Sequence, residues 1–240
     1  MRKVRKINMN DYVQSLSDYI EIIGTFDLSS PNSQFLFRGQ DVKGNLLPSI
    51  ARKIPSEDTT VKEKQMLDNI RMMGAAFLKE SENTDLDHLV LAQHHSMKTR
   101  LLDWSTNPLV ALWFACNSKE DRDVYVYILD PSKFLNKSVY ENDPFKQEET
   151  CVFQPRLNNN RIIAQHGWFT LHRFSKSSNA FVPLEKNRKV KEFIHELKIA
   201  KKSKPDLLNE LDKYGISNRT LFPDLEGLCT YQNWKFEQFH

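Results

Sequence analysis

The polar residues that could do chemistry are concentrated in residues 89–115, a stretch that is otherwise strongly apolar. These polar residues are Gln93, His94, His95, Thr99, Arg100, Asp103, Ser105, Thr106 and Asn107. Buried polar groups must find hydrogen-bond partners, since each group left without one costs about 1–3 kcal/mol. Such a cluster therefore either pairs with itself or lines a site, and at this point both interpretations stay open. In the structural interpretation, Arg100 pairs with Asp103 and Asn107 caps the next helix.

Two further stretches place single polar residues beside glycine within apolar sequence. In residues 35–40, Arg38 leaves a predicted strand next to Gly39, and Gln40 follows. A guanidinium in that position can hold phosphate or carboxylate bidentately, although an ordinary strand-end ion pair fits equally well. In residues 161–171, Gln165 and Gly167 interrupt an aromatic-rich run that favours a strand, and the glycine indicates a close backbone approach.

The hydrophobic periodicity predicts an α+β protein. We expect helices at 11–23, 59–79, 85–95, 109–115 and 205–214, strands at 35–38 and 124–130, an irregular segment at 135–145 and a terminal amphipathic segment from residue 222. The predicted architecture is a single domain with a mixed or antiparallel β-sheet core surrounded by helices. We expect residues 1–29 to form an N-terminal arm and helix, and residues 30–240 to form the domain itself.

Composition excludes several classes of protein. The chain has 240 residues, 40% of them hydrophobic, and a formal charge of +3. The three cysteines are widely spaced, which argues against a disulfide framework or a zinc ribbon and predicts a reducing, cytoplasmic location. We find no apolar run of about 18 residues that would span a membrane. The histidines match no standard metal-site spacing, so no metal is predicted. The glycine motifs of Rossmann and P-loop sites are absent.

Positive charge is concentrated in residues 186–204, which contain eight lysine or arginine residues and two glutamates and so carry a local charge of +6. This run is either a solvated face or an electrostatic footprint for phosphates. Together with the basic residues among 2–6 and the aromatic pair Trp168-Phe169, it favours nucleic acid as a partner. Single-stranded RNA is preferred, since its unpaired bases can stack on aromatic rings.

Several motifs together resemble the FRG domain, a family named for its Phe-Arg-Gly motif. They are FRGQ at 37–40, LAQH at 91–94, TRLLDW at 99–104, NPL at 107–109, AQHGWF at 164–169 and LFPDLEG at 221–227. A second, weaker resemblance is to ADP-ribosyltransferases, in which an arginine ends an early strand. A Ser/Thr-bearing strand and helix follow there, with an acidic or amide residue late in the chain. Arg38 and Ser105 match the first two features, and Gln165 or Glu226 is the candidate for the third.

This resemblance implies an ADP-ribosyltransferase-like fold that uses NAD as a substrate. The residues expected to bind NAD are Arg38, Gly39, Gln40, Gln93, Thr99, Arg100, Trp104 and Ser105. The residues expected to be catalytic are His94, Asp103, Gln165 and Glu226. In this scheme the arginines hold the pyrophosphate, Trp104 or Trp168 stacks on nicotinamide, a carboxylate stabilises the oxocarbenium ion and His94 moves a proton.

The resemblance also implies a biological role. The expected function is that of a toxin or phage-defence effector that modifies nucleic acid, with a neutralising antitoxin protein as partner. The alternative is a non-catalytic module that binds a nucleotide or a nucleic-acid end in the same pocket.

Overall fold

The computed structural model describes residues 12–26, 34–78, 84–157 and 159–238. The predicted basic arm at residues 1–8, with its cluster of cationic residues, lies outside them. Most of the described chain is organised around one seven-stranded sheet, with a separate two-stranded hairpin. The strands are β1 (Tyr12–Val13), β2 (Leu36–Gln40), β3 (Leu101–Ser105), β4 (Val124–Leu129), β5 (Cys151–Phe153), β6 (Gly167–Leu171), β7 (Phe174–Ser175), β8 (Ala180–Phe181) and β9 (Ile194–Ile199).

The main sheet has the order β1-β9-β4-β2-β3-β6-β5. Every neighbouring pair in it is antiparallel except β1 and β9, which are parallel, so the sheet is mixed. The helices are α1 (Leu16–Ile23), α2 (Thr60–Met73), α3 (Asp85–His94), α4 (Pro108–Cys116), α5 (Asn160–Ala164), α6 (Lys204–Lys213), α7 (Asn218–Leu221) and α8 (Leu225–Glu237). This arrangement of helices around a mixed sheet confirms the predicted α+β class.

The two faces of the sheet bury different clusters, because successive side chains of a strand point to opposite faces. On the first face, Phe37 and Val126 pack with helices α1, α4 and α6, while Leu101 and Phe169 pack with α2 and α3. On the second face, Leu36, Tyr127 and Trp104 are covered mainly by loop residues. The first face therefore carries two separate apolar clusters side by side, with β2 contributing to the first and β3 to the second.

Helix α4 approaches strand β2 unusually closely, and Gly39 makes this possible. A Cβ atom added at Gly39 would lie 1.9 Å from the Ala111 carbonyl oxygen and 2.5 Å from the Ala115 nitrogen. Asn107 begins the helix by accepting a hydrogen bond from the Leu109 amide at 2.9 Å, and Pro108 occupies its first turn. The glycine thus fixes α4 directly on the strand that carries Arg38.

The N-terminal segment belongs to the same core as the rest of the chain. The Tyr19 hydroxyl donates to the Pro108 carbonyl at 2.8 Å, and β1 extends the sheet beside β9. The described residues before position 29 therefore pack on the same core as the described residues that follow. The sequence predicts Asn10 or Asp11 as the cap of the first helix, and both lie outside the described residues. Helix α1 begins at Ser15, which caps it in a capping box.

Two sequence-based assignments were wrong. The apolar residues that recur at helical spacing in residues 59–79 predict a buried helix face, yet Met73 and Phe77 are 78% and 85% exposed, and only Leu67 among these residues is buried. Residues 161–171 were expected to form one strand, but they form α5, a turn and then β6. Asn159 caps α5 by accepting a hydrogen bond from the Arg161 amide. This capping residue indicates a helix start, but the aromatic residues that follow favoured a strand.

None of the helices in the described part of the chain combines the length and apolarity needed to span a bilayer.

Candidate functional site

A cleft of about 290 Å³ opens on the first face of the sheet, where β2 and β3 part. These strands are in register at one residue pair, Phe37 with Ser105, whereas β3 and β6 pair along five residues. The polar residues lining the cleft are Arg38, Gln93, His94, Asp103, Ser105, Arg161 and Gln165, and its aromatic residues include Phe114, Trp168 and Phe222. Five of the six sequence motifs and three helices therefore meet at the interruption of the ladder.

The guanidinium of Arg38 bridges the gap between the two strands. Its Nη1 donates to the Asp103 carbonyl oxygen at 2.8 Å and lies 3.8 Å from the Asp103 carboxylate. Its Nε donates to Gln40 Oε1 at 3.2 Å, and the Gln40 amide is itself held by two backbone carbonyls. Burial lowers the pKa of Arg38 to about 10, so the side chain remains cationic near neutral pH. Its Nη2 donates to no described residue, so the N–H groups of this nitrogen are available to a ligand.

Asp103 is the exposed carboxylate of the cleft, with 55% of its side chain accessible. The Gln93 amide donates to both carboxylate oxygens, at 3.1 and 3.2 Å. Thr99 in turn donates its hydroxyl proton to Gln93 Oε1 at 2.6 Å, which fixes the orientation of the amide. Thr99 is fully buried and thus positions Gln93 rather than contacting a ligand itself.

The end of strand β3 is tied to the segment that precedes β6. The Ser105 hydroxyl donates to the Gln165 carbonyl at 2.7 Å and accepts from the Asn107 amide at 3.0 Å. The Gln165 side chain donates to the Leu221 carbonyl at 3.1 Å. Ser105 and Gln165 therefore meet in the cleft, and together they connect α4, α5 and α7.

His94 lies at the end of α3, with its ring edge-on to His95 at 5.0 Å. Burial lowers the pKa of His94 to about 4, and the positive charge of Arg161 adds to this effect. The imidazole is therefore neutral near pH 7. It can accept a proton, and a bound phosphate would raise its pKa by adding negative charge to the cleft.

Arg161 is a second cleft arginine that sequence reasoning missed. Its Nε and Nη2 donate to Asp224 Oδ2 at 2.9 and 2.5 Å, and its guanidinium lies 5.2 Å from the centre of the Phe222 ring. Asp224 also caps α8 by accepting from the Gly227 amide. A helical interpretation of residues 160–164 would have placed Arg161 and Gln165 four residues apart on one face, so the signal was present.

Arg100 does not join the cleft, and its predicted role in holding a ligand is wrong. Its side chain is 1% exposed, and its Nε donates to Glu63 Oε2 at 2.8 Å. The guanidinium also stacks on Phe145, 4.4 Å from the ring centre, and donates to Thr60. The partner of Arg100 is therefore Glu63 on α2, a long-range contact, and not the nearby Asp103.

The predicted aromatic and acidic candidates are placed differently from expectation. Trp104 is buried and its indole Nε1 donates to Thr170 at 3.2 Å, and Trp168 and Phe169 are also buried, so these three residues contribute little accessible surface to the cleft wall. Glu226 has an 86% exposed side chain outside the cleft lining, 3.7 Å from Arg161. The accessible rings of the cleft belong to Phe114 and Phe222.

Several of the cations in the basic run at residues 186–204 form ion pairs or hydrogen bonds within the chain. Lys198 and Lys201 each pair with an aspartate at 2.9 Å, and Lys189 pairs with Glu149. Lys204 is buried and donates to the Ser118 and Glu120 carbonyls. The continuous +6 footprint expected from the sequence is therefore broken up, and the cations that keep no such side-chain contact among the described residues are Lys186, Arg188, Lys191 and Lys202.

No group of three or more histidine, cysteine or acidic side chains among the described residues is arranged to hold a metal ion.

Comparison with known families identifies one match. The family model of the FRG domain matches residues 33–124, which confirms the resemblance over that stretch. Comparison with curated proteins and with solved structures gives no match. The matched stretch contains Arg38, Gln93, His94, Asp103 and Ser105, while the motifs at 164–169 and 221–227 lie beyond it. The structure nevertheless brings Gln165 and Phe222 from these later motifs into the same cleft.

Proposed function

We propose that this chain, whose residues 33–124 match the FRG domain, binds NAD in the cleft and transfers its ADP-ribose group to an acceptor. The observation that carries the proposal is the pairing of Arg38 with the exposed carboxylate of Asp103 across the gap between β2 and β3. A cation and a carboxylate held side by side suit a substrate that carries both a pyrophosphate and a positively charged glycosidic centre.

Two arginines are available for the pyrophosphate. Arg38 offers its unengaged Nη2, and Arg161 can exchange its ion pair with Asp224 for one with a phosphate. Arg161, once released from Asp224, is a planar fork that can bind phosphate oxygens bidentately, while Arg38 adds the N–H groups of its single unengaged nitrogen. Phe114 and Phe222 supply the apolar wall against which a base or nicotinamide ring would lie.

The proposed reaction breaks the bond between nicotinamide N1 and ribose C1′. Nicotinamide leaves as a neutral molecule with the bonding electron pair, and C1′ acquires oxocarbenium character that Asp103 stabilises electrostatically. An acceptor oxygen or nitrogen then forms the new bond to C1′ and gives up its proton. Neutral His94 is the cleft base that would receive this proton, either directly or through a water molecule.

We further propose nucleic acid, preferably single-stranded RNA, as the acceptor, and a cytoplasmic toxin or phage-defence effector as the biological role. Three free cysteines suit a reducing compartment. A neutralising protein would be the natural partner of such an effector. The exposed Leu225 and Phe236 of α8 are better candidates for its docking surface than residues 135–145, where Val139 is buried and Phe145 packs on Arg100.

A second candidate function is a nucleotide-binding module without catalysis. It is favoured by the number of polar cleft groups that already have internal partners. Gln93 is bound to Asp103, Gln165 to a backbone carbonyl and Arg161 to Asp224. Such a site would bind NAD or a related nucleotide but would not release nicotinamide.

Incubation with adenine-labelled NAD and separate RNA, DNA and protein fractions of a cell extract tests the proposal. We expect free nicotinamide to be released and label to enter the RNA fraction. Binding of NAD without nicotinamide release would establish the non-catalytic module instead. Nicotinamide release with label confined to protein would retain the transferase and reject the RNA acceptor.

A further inference from the structure

A second concave surface, which we call the basic groove, lies away from the cleft and has a volume of about 430 Å³. Its cationic lining residues are Arg173, Lys186, Arg188 and Lys189. Val190, at its base, and the adjacent Phe134 belong to the apolar cluster on the second face of the sheet. The groove therefore opens on the side of the sheet opposite the candidate cleft.

Most of the positive charge in the groove is uncompensated. Lys189 pairs with Glu149, which is also in the lining, but Arg173, Lys186 and Arg188 form no ion pair with any residue that the structure describes. Arg173 follows β6, and Arg188 lies on the loop that precedes β9. Two cations from different parts of the chain, without an ion pair among the described residues, therefore line the same groove, a distribution suited to a linear polyanion.

Hydroxyl groups line the groove along with these cations. They belong to Ser175 at the end of β7, to Ser177 and Ser178 in the turn of the β7–β8 hairpin, and to Thr150. The hydroxyls of Ser175 and Ser177 lie 3.1 Å apart, while the side chains of Ser177 and Ser178 are exposed. Arginine, lysine and serine side chains are the groups that contact phosphate and sugar oxygens in nucleic-acid complexes.

The shape of the groove selects among polyanions. Reading duplex DNA in its major groove requires a protruding helix or ribbon, whereas this surface is concave. A membrane surface would favour exposed apolar side chains beside the cations, but Val190 is buried and Phe134 is partly buried against the core. A flexible single strand can follow a short concave path lined with cations and hydroxyls.

We propose that the basic groove binds the phosphodiester backbone of a single-stranded nucleic acid. Binding at this site does not require the chemistry of the cleft, but a role in presenting an acceptor rests on the proposed function. Because the groove and the cleft occupy opposite faces of the sheet, a bound strand would reach the cleft only around an edge of the sheet.

The test is fluorescence anisotropy of labelled, unstructured RNA and of DNA of the same sequence, measured over a salt series without NAD. The wild type should bind at least one of these single strands, and the comparison identifies which. For single strands, the slope of log K against log salt changes by about 0.7 per phosphate contact. Replacing Arg173 and Arg188 with glutamine should therefore reduce the slope by about 1.4. The double variant K119Q/K213Q removes two exposed charges elsewhere and should leave it unchanged.

A charge reversal keeps the test decisive if the double variant is poorly folded. Lys186→Glu alters an exposed side chain and should also weaken binding while NAD binding in the cleft stays unchanged. Equal affinity of the wild type and all groove variants would overturn the proposal. So would absence of single-strand binding, or groove-dependent binding to anionic phosphatidylserine vesicles alone. If the wild type releases no nicotinamide from NAD but still binds RNA through the groove, only the proposed transferase activity is rejected.

Discussion

At the scale of single residues, the site depends on how Asp103 is held. A carboxylate in a central strand would ordinarily be buried against a helix, but here it opens into a cleft because β2 and β3 part beside it. Gln93 bonds both of its oxygens, and Arg38 lies 3.8 Å away. The carboxylate is therefore fixed in direction while more than half of its side chain remains accessible, a combination expected of a group that stabilises a developing positive charge.

Asp103→Asn should reduce nicotinamide release by about 100-fold or more while NAD binding is retained, because the amide preserves the shape and one acceptor but removes the charge. Glu226→Gln serves as the control, since that carboxylate lies outside the cleft lining and should be dispensable. Turnover is measured by chromatography of released nicotinamide. Comparable rates for both variants would remove Asp103 from the mechanism.

Arg100 has the opposite character, since burial makes it a structural residue. It donates to Glu63 through both its backbone nitrogen and its guanidinium, at 2.7 and 2.8 Å. Burial raises the pKa of Glu63, and Arg100 opposes that shift by stabilising the carboxylate. The pair is therefore one unit in which each member compensates the other.

Arg100→Met should destabilise the fold by about 3–5 kcal/mol, because it leaves the Glu63 carboxylate buried without a counter-charge. Adding Glu63→Gln should recover much of this loss, since glutamine can still accept from the Arg100 backbone amide. Urea unfolding measures both effects. If the single variant unfolds at the wild-type midpoint, the buried pair does not contribute to stability.

At the scale of elements, the position of α4 on β2 decides the shape of the cleft. Gly39 lets the backbone of α4 approach the strand. Val110, Ala111 and Leu112 of this helix are buried in the apolar cluster on the first face. The sequence predicts α4, α3 and β4 well because each has a continuous apolar pattern and clear capping or stop residues. It does not predict α5, because this five-residue helix carries too few residues for a periodicity to show.

Gly39→Ala should destabilise the protein by about 1–3 kcal/mol or more, because its Cβ would lie 1.9 Å from the Ala111 carbonyl oxygen and would force α4 away from β2. Gly24→Ala is the matched control, since its Cβ would meet the Ile20 carbonyl at 3.3 Å, where only a small adjustment is needed. Thermal unfolding compares the two variants. Equal melting temperatures would mean that the close approach is not required.

At the scale of the whole molecule, residues distant in sequence complete both the core and the site. The motifs containing Arg38, Asp103 and Gln165 could be identified in the sequence as candidates, and the structure brings them together. The sequence did not identify Arg161 as a site residue, because its position depends on the distant Asp224. Arg100 was wrongly assigned to the site, because its partner Glu63 lies 37 residues away in the chain. Local spacing identifies which residues carry chemistry, but long-range packing decides which of them face the cleft.

The buried histidine of the second face predicts acid lability. Burial, reinforced by Arg38 and Arg100, lowers the pKa of His172 to about 3 from an ordinary value of 6.5. The unfolded chain therefore binds more protons, so this stability is present above about pH 6.5 and is lost as pH falls towards 3.

Replacing His172 with glutamine should flatten the decline in unfolding free energy on the acid side of pH 6.5. Denaturant unfolding of both proteins across this range checks the prediction. The glutamine amide can still form a hydrogen bond with Thr170, whose hydroxyl lies 3.0 Å from the His172 imidazole in the wild type. The two proteins therefore differ mainly in whether the side chain at position 172 can bind a proton. Parallel pH profiles for the two proteins would show that His172 does not control acid unfolding.

The most direct test of the proposed function is a calorimetric titration of NAD into the wild type and into Arg38→Gln. We expect saturable binding at one site in the wild type. We also expect at least about tenfold weaker binding in the variant, because a charge-assisted contact contributes about 1.5–3 kcal/mol. Arg188→Gln, an arginine outside the cleft, should bind NAD as the wild type does. Absence of wild-type binding, or equal affinity in the wild type and a folded Arg38→Gln variant, would contradict the assignment of the cleft.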